Sequence, residues 1–260
     1  MERQKYTDLN IRTINTWVKD GWQWGKPIGR EEFVKAKNGE CTVLLSPNKF
    51  VPKEWFPPLE GKRLLGLASG GGQQMPVFAA LGADCTVLDY SDEQLAAERY
   101  VAEREAYPIT IMKADMTERF PFPDETFDLI FHPVSNCYVE DVHHVWHECF
   151  RVLKKGGVLL AGMGNGLCYL FDDIENLPLV VVNKLPYNPL KDPALYEKIN
   201  WKYDNIQFSH SLEEQIGGQL KAGFILTGLY EDYGNEGVLR EYAPEYIVTR
   251  SIKPLTIGVV

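Results

Sequence analysis

A run of three glycines and a later aspartate are the first residues whose types and spacing suggest chemistry. Gly70-Gly71-Gly72 follows a short apolar stretch, and Asp89 ends the next one, 17 positions after Gly72. Glycine lets the backbone approach a ligand closely and allows positive φ at no steric cost. A carboxylate at the end of a strand can accept hydrogen bonds from both vicinal hydroxyls of a ribose. The spacing therefore predicts a site for a ligand that contains a nucleoside, although a purely structural turn would also use glycine.

A nicotinamide dinucleotide is the main alternative ligand for such a turn. Its fingerprint, Gly-x-Gly-x-x-Gly, rests the pyrophosphate on a helix N-terminus. Here Gly70 and Gly72 are followed by Gln73-Gln74-Met75, so the third glycine is absent. Bulky Gln and Met side chains suit a ligand without a pyrophosphate. The pattern disfavours a nicotinamide-dependent oxidoreductase and keeps it as an alternative.

Alternating strand and helix patterns must position these residues. After residue 61, short apolar runs alternate with segments of helical periodicity, which predicts parallel strands joined by right-handed crossovers. The predicted strands are 63–68, 83–89, 109–112, 127–131, 158–162, 224–229 and 246–251, and the predicted helices are 76–81, 92–105, 141–155 and 212–222. We therefore expect an α/β fold with a doubly wound, mostly parallel, seven-stranded sheet.

Two segments lie outside this alternating pattern. Residues 1–60 contain a helix predicted over 8–19 and then an irregular stretch with several prolines and aromatics. Residues 165–208 are rich in proline and asparagine and have no clear periodicity. We predict an N-terminal helix and cap segment at 1–60, and an α/β domain at 61–260 whose insertion, at about 165–208, completes the cap.

Five motifs between Pro57 and Met163 occur in an order known from one protein family. The first is the glycine turn with its lead-in from Pro57. The other four are Asp89-Tyr90-Ser91, Lys113-Ala114-Asp115-Met116, Phe120 to Asp128 and Phe150 to Gly157. Together they resemble the class I S-adenosylmethionine-dependent methyltransferases, close to the branch of small-molecule and unassigned bacterial enzymes. The resemblance implies S-adenosyl-L-methionine as the methyl donor, a small-molecule acceptor, and a methyltransferase domain at 61–260.

The resemblance also implies which residues contact the cofactor. Asp89 would hold the ribose, Asp115 would accept the adenine amino group, and the Met116 backbone would lie by the ring. Tyr90 and Gln94 would flank the adenosine, and the residues after the fourth strand would lie near the methionine end. The implied cofactor-binding residues are Ala68, Ser69, Gly70, Gly72, Asp89, Tyr90, Gln94, Asp115, Met116, His132, Pro133 and Ser135.

Methyl transfer from a sulfonium is an in-line displacement with a good leaving group, so the protein mainly aligns the two reactants in a dry pocket. A base is needed only when the acceptor must lose a proton. His132 is the candidate base, because a neutral imidazole can take a proton near pH 7. A packed, hydrogen-bonded histidine is the alternative interpretation. Asn136, Tyr138 and the lid aromatic Trp24 are candidates for orienting the acceptor, with core packing as their alternative role.

The glycine turn departs from the family pattern at two positions. The family usually has an acidic residue where Gly66 stands and a glycine where Ala68 stands. The acidic residue commonly helps to hold the methionine amino group, so that contact would come from elsewhere. A cofactor-binding module without catalysis therefore remains a second alternative to methyl transfer.

Charge and cysteine content bear on partners and compartment. The chain has 27 Lys and Arg against 36 Asp and Glu, a formal net charge of −9. Such a balance repels phosphate backbones, so we expect no nucleic-acid partner. The five cysteines are scattered without a C-x-x-C pair, and no apolar stretch resembles a signal peptide or spans a bilayer. We expect a cytoplasmic protein without a membrane partner, and the oligomeric state stays open.

Three histidines on one predicted helix also raise the question of a metal site. His143 and His147 share a helical face, and Glu148 adds a further possible ligand. The order is not the His-Glu-x-x-His of zinc enzymes, so no metal site is predicted.

Overall fold

Seven strands form one sheet in the computed structural model, which describes residues 5–256. Their order is β3-β2-β1-β4-β5-β7-β6. Strands β1 to β5 are parallel, whereas β7 is antiparallel to both β5 and β6. This confirms the predicted doubly wound, mostly parallel, seven-stranded α/β fold. The bounds are β1 Arg63–Leu67, β2 Asp84–Asp89, β3 Thr110–Lys113, β4 Phe127–His132, β5 Leu153–Gly164, β6 Ile225–Asp232 and β7 Tyr246–Ile252.

Some helices pack on the two faces of the sheet, and others lie in the N-terminal segment and the insertion. They are α1 Tyr6–Lys19, α2 Arg30–Lys37, α3 Met75–Ala80, α4 Asp92–Glu105, α5 Val142–Val152, α6 Pro193–Tyr196 and α7 Gly218–Ala222, the last preceded by a π-helical turn, Glu213–Gly217. Ser91 caps α4, since its Oγ accepts from the Gln94 amide. Within residues 5–256, none of the helices has the length and apolar character needed to cross a bilayer.

Two apolar cores enclose the sheet. On one face, Leu65 packs in a cluster with Trp146 of α5. On the other face, Leu64 packs in a cluster with Phe78 of α3. Neighbouring strand residues point to opposite faces, so Leu64 and Leu65 serve different cores. Burial on both faces explains why these strands are continuous apolar runs.

The helix predicted over 141–155 is shorter in the structure. Helix α5 ends at Val152, and β5 begins at Leu153. The Lys154 ammonium lies 2.8 Å from Asp128 Oδ2 on β4, so the strand includes residues that were interpreted as a helix end. The prediction was wrong at this boundary because lysines and glycines after an apolar run are typical of a helix C-terminus. Pairing with β4 outweighs that local preference.

One helix in the N-terminal segment was not predicted. Helix α2 covers eight residues of the stretch that was interpreted as irregular. It buries Phe33 and Ala36, both about 1% exposed. Two buried positions in so short a segment do not establish helical periodicity, which needs a longer window.

Helix α1 joins the late insertion to the loop after β2. Asn10 holds the backbone of Ile206 at both polar atoms: Nδ2 donates to the carbonyl at 2.9 Å, and Oδ1 accepts from the amide at 2.7 Å. Farther along the helix, Asn15 Oδ1 accepts from the Ser91 hydroxyl at 2.7 Å. The helix therefore fixes the insertion relative to the glycine turn and Asp89.

Candidate functional site

A cavity of about 300 Å³ lies at the carboxyl ends of β1, β2 and β4. This edge is where ligands bind in open parallel sheets. Gly72, His132 and Asn136 are not among the residues that line the cavity. The predicted site residues that do line it are Ala68, Ser69, Gly70, Asp89, Tyr90, Gln94, Asp115, Met116, Pro133, Ser135, Tyr138 and Trp24.

The turn after β1 has little space for side chains. A Cβ on Gly70 would lie 2.7 Å from Gln94 Cβ. Gly71 has a φ of +92°, and a Cβ there would lie 2.9 Å from the Trp24 carbonyl oxygen. Glycine therefore lets the turn pack directly against α4 and the N-terminal segment. Ala68 adopts a φ of 47°, a left-handed conformation that costs an ordinary residue about 1–2 kcal/mol.

Backbone amides hold the carboxylate of Asp89. Oδ2 accepts from the Gly70 amide at 3.1 Å, and Oδ1 accepts from the Ser91 amide at 2.9 Å. Burial raises the pKa of this carboxyl to about 6, while hydrogen bonds from the Ser91, Gly70 and Tyr90 amides oppose the rise. The group is therefore mostly ionised at pH 7. Each carboxylate oxygen has a second lone pair for a ligand donor.

Two polar atoms beside Asp89 are buried without a partner. They are the Tyr90 hydroxyl and Gln94 Oε1. Gln94 Nε2 donates to the Trp24 carbonyl at 3.3 Å, which orients the amide. A buried polar atom without a hydrogen bond costs about 1–3 kcal/mol. Both atoms therefore fit a ligand with hydrogen-bonding groups, and the adenosine portion of S-adenosylmethionine has donors and acceptors of this kind.

Asp115 and Met116 form the turn after β3. Asp115 Oδ1 accepts from the Thr117 amide at 2.9 Å and from the Thr117 hydroxyl at 2.8 Å. This carboxylate therefore closes a turn as well as lining the cavity. Met116 is buried within the core on the α5 side of the sheet. The turn offers the cavity an acceptor edge next to apolar surface, which suits a nucleobase.

Gly66 stands in β1 at the position where the family has an acidic residue. A Cβ here would lie 2.6 Å from Met75 Sδ, at the start of α3. Met75 is itself fully buried. A side chain at 66 and the methionine at 75 would occupy the same space, so the packing of Met75 requires the glycine.

His132 and Asn136 lie behind the cavity wall. The His132 Nδ1 atom is 3.0 Å from the Leu67 carbonyl oxygen, and its Nε2 atom is 2.8 Å from Asn136 Oδ1. The ring is fully buried, and burial lowers its pKa. Asn136 Nδ2 donates to Gln215 Oε1 at 3.0 Å. This geometry favours the packed, hydrogen-bonded histidine over the base as the interpretation of His132, and Asn136 likewise does not line the cavity.

Gly72 anchors the glycine turn to α4. Its amide donates to Glu98 Oε2 at 3.0 Å, and the Tyr107 hydroxyl donates to Oε1 of the same group at 3.3 Å. Glu98 is fully buried, and burial raises its pKa to about 8. Gly72 therefore supports the site through this carboxyl group without lining the cavity.

The rest of the lining comes from segments without a chemical motif. We use the name distal chamber for the side of the cavity formed by six of these lining residues, which are Pro47, Tyr138, Tyr169, Phe208, His210 and Tyr246. Of these six, only Tyr138 was predicted as a site residue, and the aromatic content of the insertion was the only signal for Tyr169. The others come from separate parts of the chain, and no local pattern indicates that they meet. These residues add mostly apolar surface to the cavity that Asp89 and Asp115 also line.

Two of the three histidines of α5 contact backbone carbonyls. His147 Nδ1 lies 2.7 Å from the His143 carbonyl oxygen, and His144 Nε2 lies 3.0 Å from that of Glu118. Among residues 5–256, no three His, Cys, Asp or Glu side chains are grouped so that they could hold a metal ion.

Comparisons with known proteins agree with this architecture. A family model described as a methyltransferase domain matches residues 65–161. The chain is 44% identical over 248 residues to the uncharacterized methyltransferase YbaJ of Bacillus subtilis, a match that covers 94% of this chain and 97% of the relative.

Solved structures share the fold. An S-adenosylmethionine-dependent methyltransferase from Mesorhizobium loti matches with a TM-score of 0.58 at 18% identity, covering 77% of this chain and 94% of that one. Another from Methanosarcina mazei matches with a TM-score of 0.56 at 16% identity, covering 78% and 96%. The relative that matches over nearly its whole length shows that the chain belongs to the methyltransferases, and its fold is that of the class I S-adenosylmethionine-dependent enzymes.

Proposed function

We propose that this methyltransferase transfers a methyl group from S-adenosylmethionine to a small-molecule acceptor, with both molecules bound in one cavity. The observation that carries the proposal is the continuity of the cavity. Asp89 and Asp115 line the same space as the distal chamber. Transfer needs the acceptor atom in line with the methyl group, so the two sites must open into each other.

Bound S-adenosylmethionine supplies an electrophilic methyl group on a positively charged sulfur. We assign Asp89 to the two ribose hydroxyls, using the lone pairs that the Gly70 and Ser91 amides leave free. Asp115 accepts the adenine amino group, and Met116 packs against the ring. Tyr90 and Gln94 complete the adenosine site, and the residues assigned to the methionine end are Ala68, Ser69, Gly70, Pro133 and Ser135.

The N-terminal segment, 1–60, and the insertion at about 165–208 act together as the cap in this proposal. Gln73 Nε2 donates to the Gln23 carbonyl at 2.8 Å and to the Lys26 carbonyl at 2.9 Å. These bonds close the N-terminal segment over the glycine turn. A closed cap excludes water, which strengthens polar contacts and protects the sulfonium from side reactions.

We expect the protein to be located in the cytoplasm. We do not expect it to bind nucleic acid. The five cysteines are all free thiols, as is typical of a reducing compartment. The formal charge of −9 opposes binding to a polyanion.

Calorimetric titration tests the cofactor assignment. We expect S-adenosylhomocysteine to bind the purified protein with micromolar affinity, and NADH not to bind. Asp89→Ala should weaken binding by about 10- to 100-fold, because a hydrogen bond to a charged group contributes about 1.5–3 kcal/mol. Asp84→Ala is the matched control, since Asp84 is exposed at the opposite end of β2. Binding of NADH instead would favour the oxidoreductase.

A second assay separates an enzyme from a silent module. The protein is incubated with S-adenosylmethionine and a panel of phenols, amines, thiols and carbon acids, and release of S-adenosylhomocysteine is measured. We expect turnover of at least one acceptor class. Tight binding without turnover of any class would favour a cofactor-binding module and refute the proposed transfer.

A further inference from the structure

The distal chamber has no positive charge to offer an acceptor. Among the cavity-lining residues within 5–256, none is a lysine or an arginine. Burial raises the pKa of the Tyr138 and Tyr169 phenols well above their ordinary value, and raises that of the Cys137 thiol to about 12, so all three stay neutral. The carboxyl of Glu245 also lines the cavity. A buried anion without a counter-ion costs several kcal/mol, so the chamber disfavours an anionic molecule.

His210 is the side chain of this chamber that is best suited to take a proton. It is 5% exposed, and its Nε2–H donates to the Asn136 carbonyl at 3.1 Å. In the neutral ring this bond fixes the hydrogen on Nε2, which leaves a lone pair on Nδ1. The protonated phenols of the chamber, and the Cys137 thiol that also lines the cavity, have no comparable basic atom.

The surroundings of His210 keep the ring neutral. Burial lowers its pKa from the ordinary value of 6.5. The carbonyls of Asn136 and Val139 and the carboxylates of Glu214 and Asp141 oppose this shift without reversing it. A neutral imidazole is the form that accepts a proton near pH 7.

A hydrogen-bonded chain holds His210 in position. The Phe208 amide donates to the Cys137 carbonyl at 2.8 Å, which aligns the end of the insertion with the turn after β4. Asn136, whose carbonyl contacts His210, is held through its side chain by Gln215 and His132. His132 in turn contacts the end of β1. His132 and Asn136 are therefore positioning residues that connect the glycine turn to His210.

We propose that His210 is the catalytic base and that the acceptor is an uncharged molecule with a weakly acidic hydroxyl, such as a phenol or an enol. The proposal rests on the proposed function. The acceptor oxygen forms a bond to the methyl carbon while the carbon–sulfur bond breaks and its electron pair stays on sulfur. The hydroxyl proton moves to Nδ1 of His210. The products are a methyl ether, S-adenosylhomocysteine and an imidazolium, which then releases its proton to solvent.

A matched pair of phenols tests the acceptor class. Methyl 4-hydroxybenzoate is uncharged, and 4-hydroxybenzoate carries a carboxylate on the same ring. We expect kcat/KM, followed as S-adenosylhomocysteine release, to be at least about 100-fold higher for the ester, which corresponds to about 3 kcal/mol. Equal or faster turnover of the acid would overturn the uncharged class, and so would failure to methylate any uncharged phenol or enol by a protein that binds S-adenosylhomocysteine.

Variants of His210 test the base. His210→Gln should lower kcat/KM for the ester by about 100- to 10,000-fold. In wild-type protein the rate should fall as pH drops below the pKa of His210. This fall should be absent from the pH profile of His210→Gln. Added imidazole should partly restore turnover of His210→Ala. His147→Gln, on the exposed side of α5, is the control and should behave as wild type.

Cofactor binding separates failure of this inference from failure of the proposed function. His210→Gln should bind S-adenosylhomocysteine within about twofold of wild type by calorimetry, because His210 is assigned no contact with it. Wild-type protein that does not bind S-adenosylhomocysteine would refute the proposed function. Normal binding with full activity in His210→Gln, or a loss seen only in Glu245→Gln, would refute His210 as the base.

Discussion

Glu98 offers a quantitative test of how a buried carboxyl group controls stability. It is fully buried on α4, where it accepts hydrogen bonds from the Gly72 amide at 3.0 Å and the Tyr107 hydroxyl at 3.3 Å. Burial raises its pKa from 4.5 to about 8. Between these values the folded protein keeps a proton on Glu98 that the unfolded chain has lost.

The raised pKa makes the folded state less stable as pH rises. The contribution of Glu98 is fully present below pH 4.5 and is lost as pH rises toward 8. Each pH unit in this window costs about 1.4 kcal/mol. The wild-type protein should therefore lose about 2–3 kcal/mol of unfolding free energy between pH 5.5 and 7.5 through this group. Glu98→Gln keeps the size and an acceptor for Gly72 but does not ionise.

Urea unfolding followed by tryptophan fluorescence measures the effect. We expect the unfolding free energy of Glu98→Gln, relative to wild type, to rise by about 2–3 kcal/mol from pH 5.5 to 7.5. Glu103→Gln is the control, because Glu103 is exposed on the same helix, and its difference from wild type should not change with pH. A flat or falling difference for Glu98→Gln would refute the argument from burial.

Three further substitutions test the packing around the site. Gly66→Ala should lower the unfolding free energy by about 1–3 kcal/mol, because the added methyl group would contact Met75. Thermal denaturation of the double variant Gly66→Ala/Met75→Ala should show that part of this loss is recovered. Additive losses in the double variant would contradict the contact. Asn10→Ala should lower the unfolding free energy by about 1–3 kcal/mol. It should also speed proteolysis of the insertion, because Asn10 holds the backbone of Ile206. Unchanged cleavage would contradict this role of Asn10. Tyr90→Phe removes a hydroxyl without a partner, so the melting temperature of the ligand-free protein should stay the same or rise. The affinity for S-adenosylhomocysteine should fall, because the hydroxyl is assigned to the adenosine site. An unchanged affinity would argue against a contact between this hydroxyl and the ligand.

Much of the fold could be predicted because the relevant signals are local. Apolar runs of strand length between helical patterns predicted the seven strands. Local caps explain why the starts of the helices predicted over 92–105 and 212–222 could be placed: Ser91 Oγ accepts from the Gln94 amide, and Ser211 and Glu214 bond each other reciprocally, each time between residues three apart. The predicted end of α5 was wrong because Leu153 belongs to β5, which pairs with a strand distant in the sequence.

His132 and His210 show what local sequence signals cannot predict. His132 follows the strand predicted over 127–131, at the expected edge of the sheet, and this position made it the candidate base. In the structure its two nitrogens contact Leu67 and Asn136, so it supports the wall. His210 has no motif around it and reaches the cavity only because the insertion folds back beside the turn after β4.

The sequence by itself determined the family, the parallel sheet and the half of the cavity that carries Asp89 and Asp115. These residues follow strands whose carboxyl ends must meet at one edge, so their proximity is a consequence of strand order. Tertiary structure alone decided which residues form the distal chamber and what His132 and His210 contact. It also decided that a side chain at Gly66 would collide with Met75. Those features depend on contacts between distant segments, and the hydrogen bonds and packing that select them exist only in the folded chain.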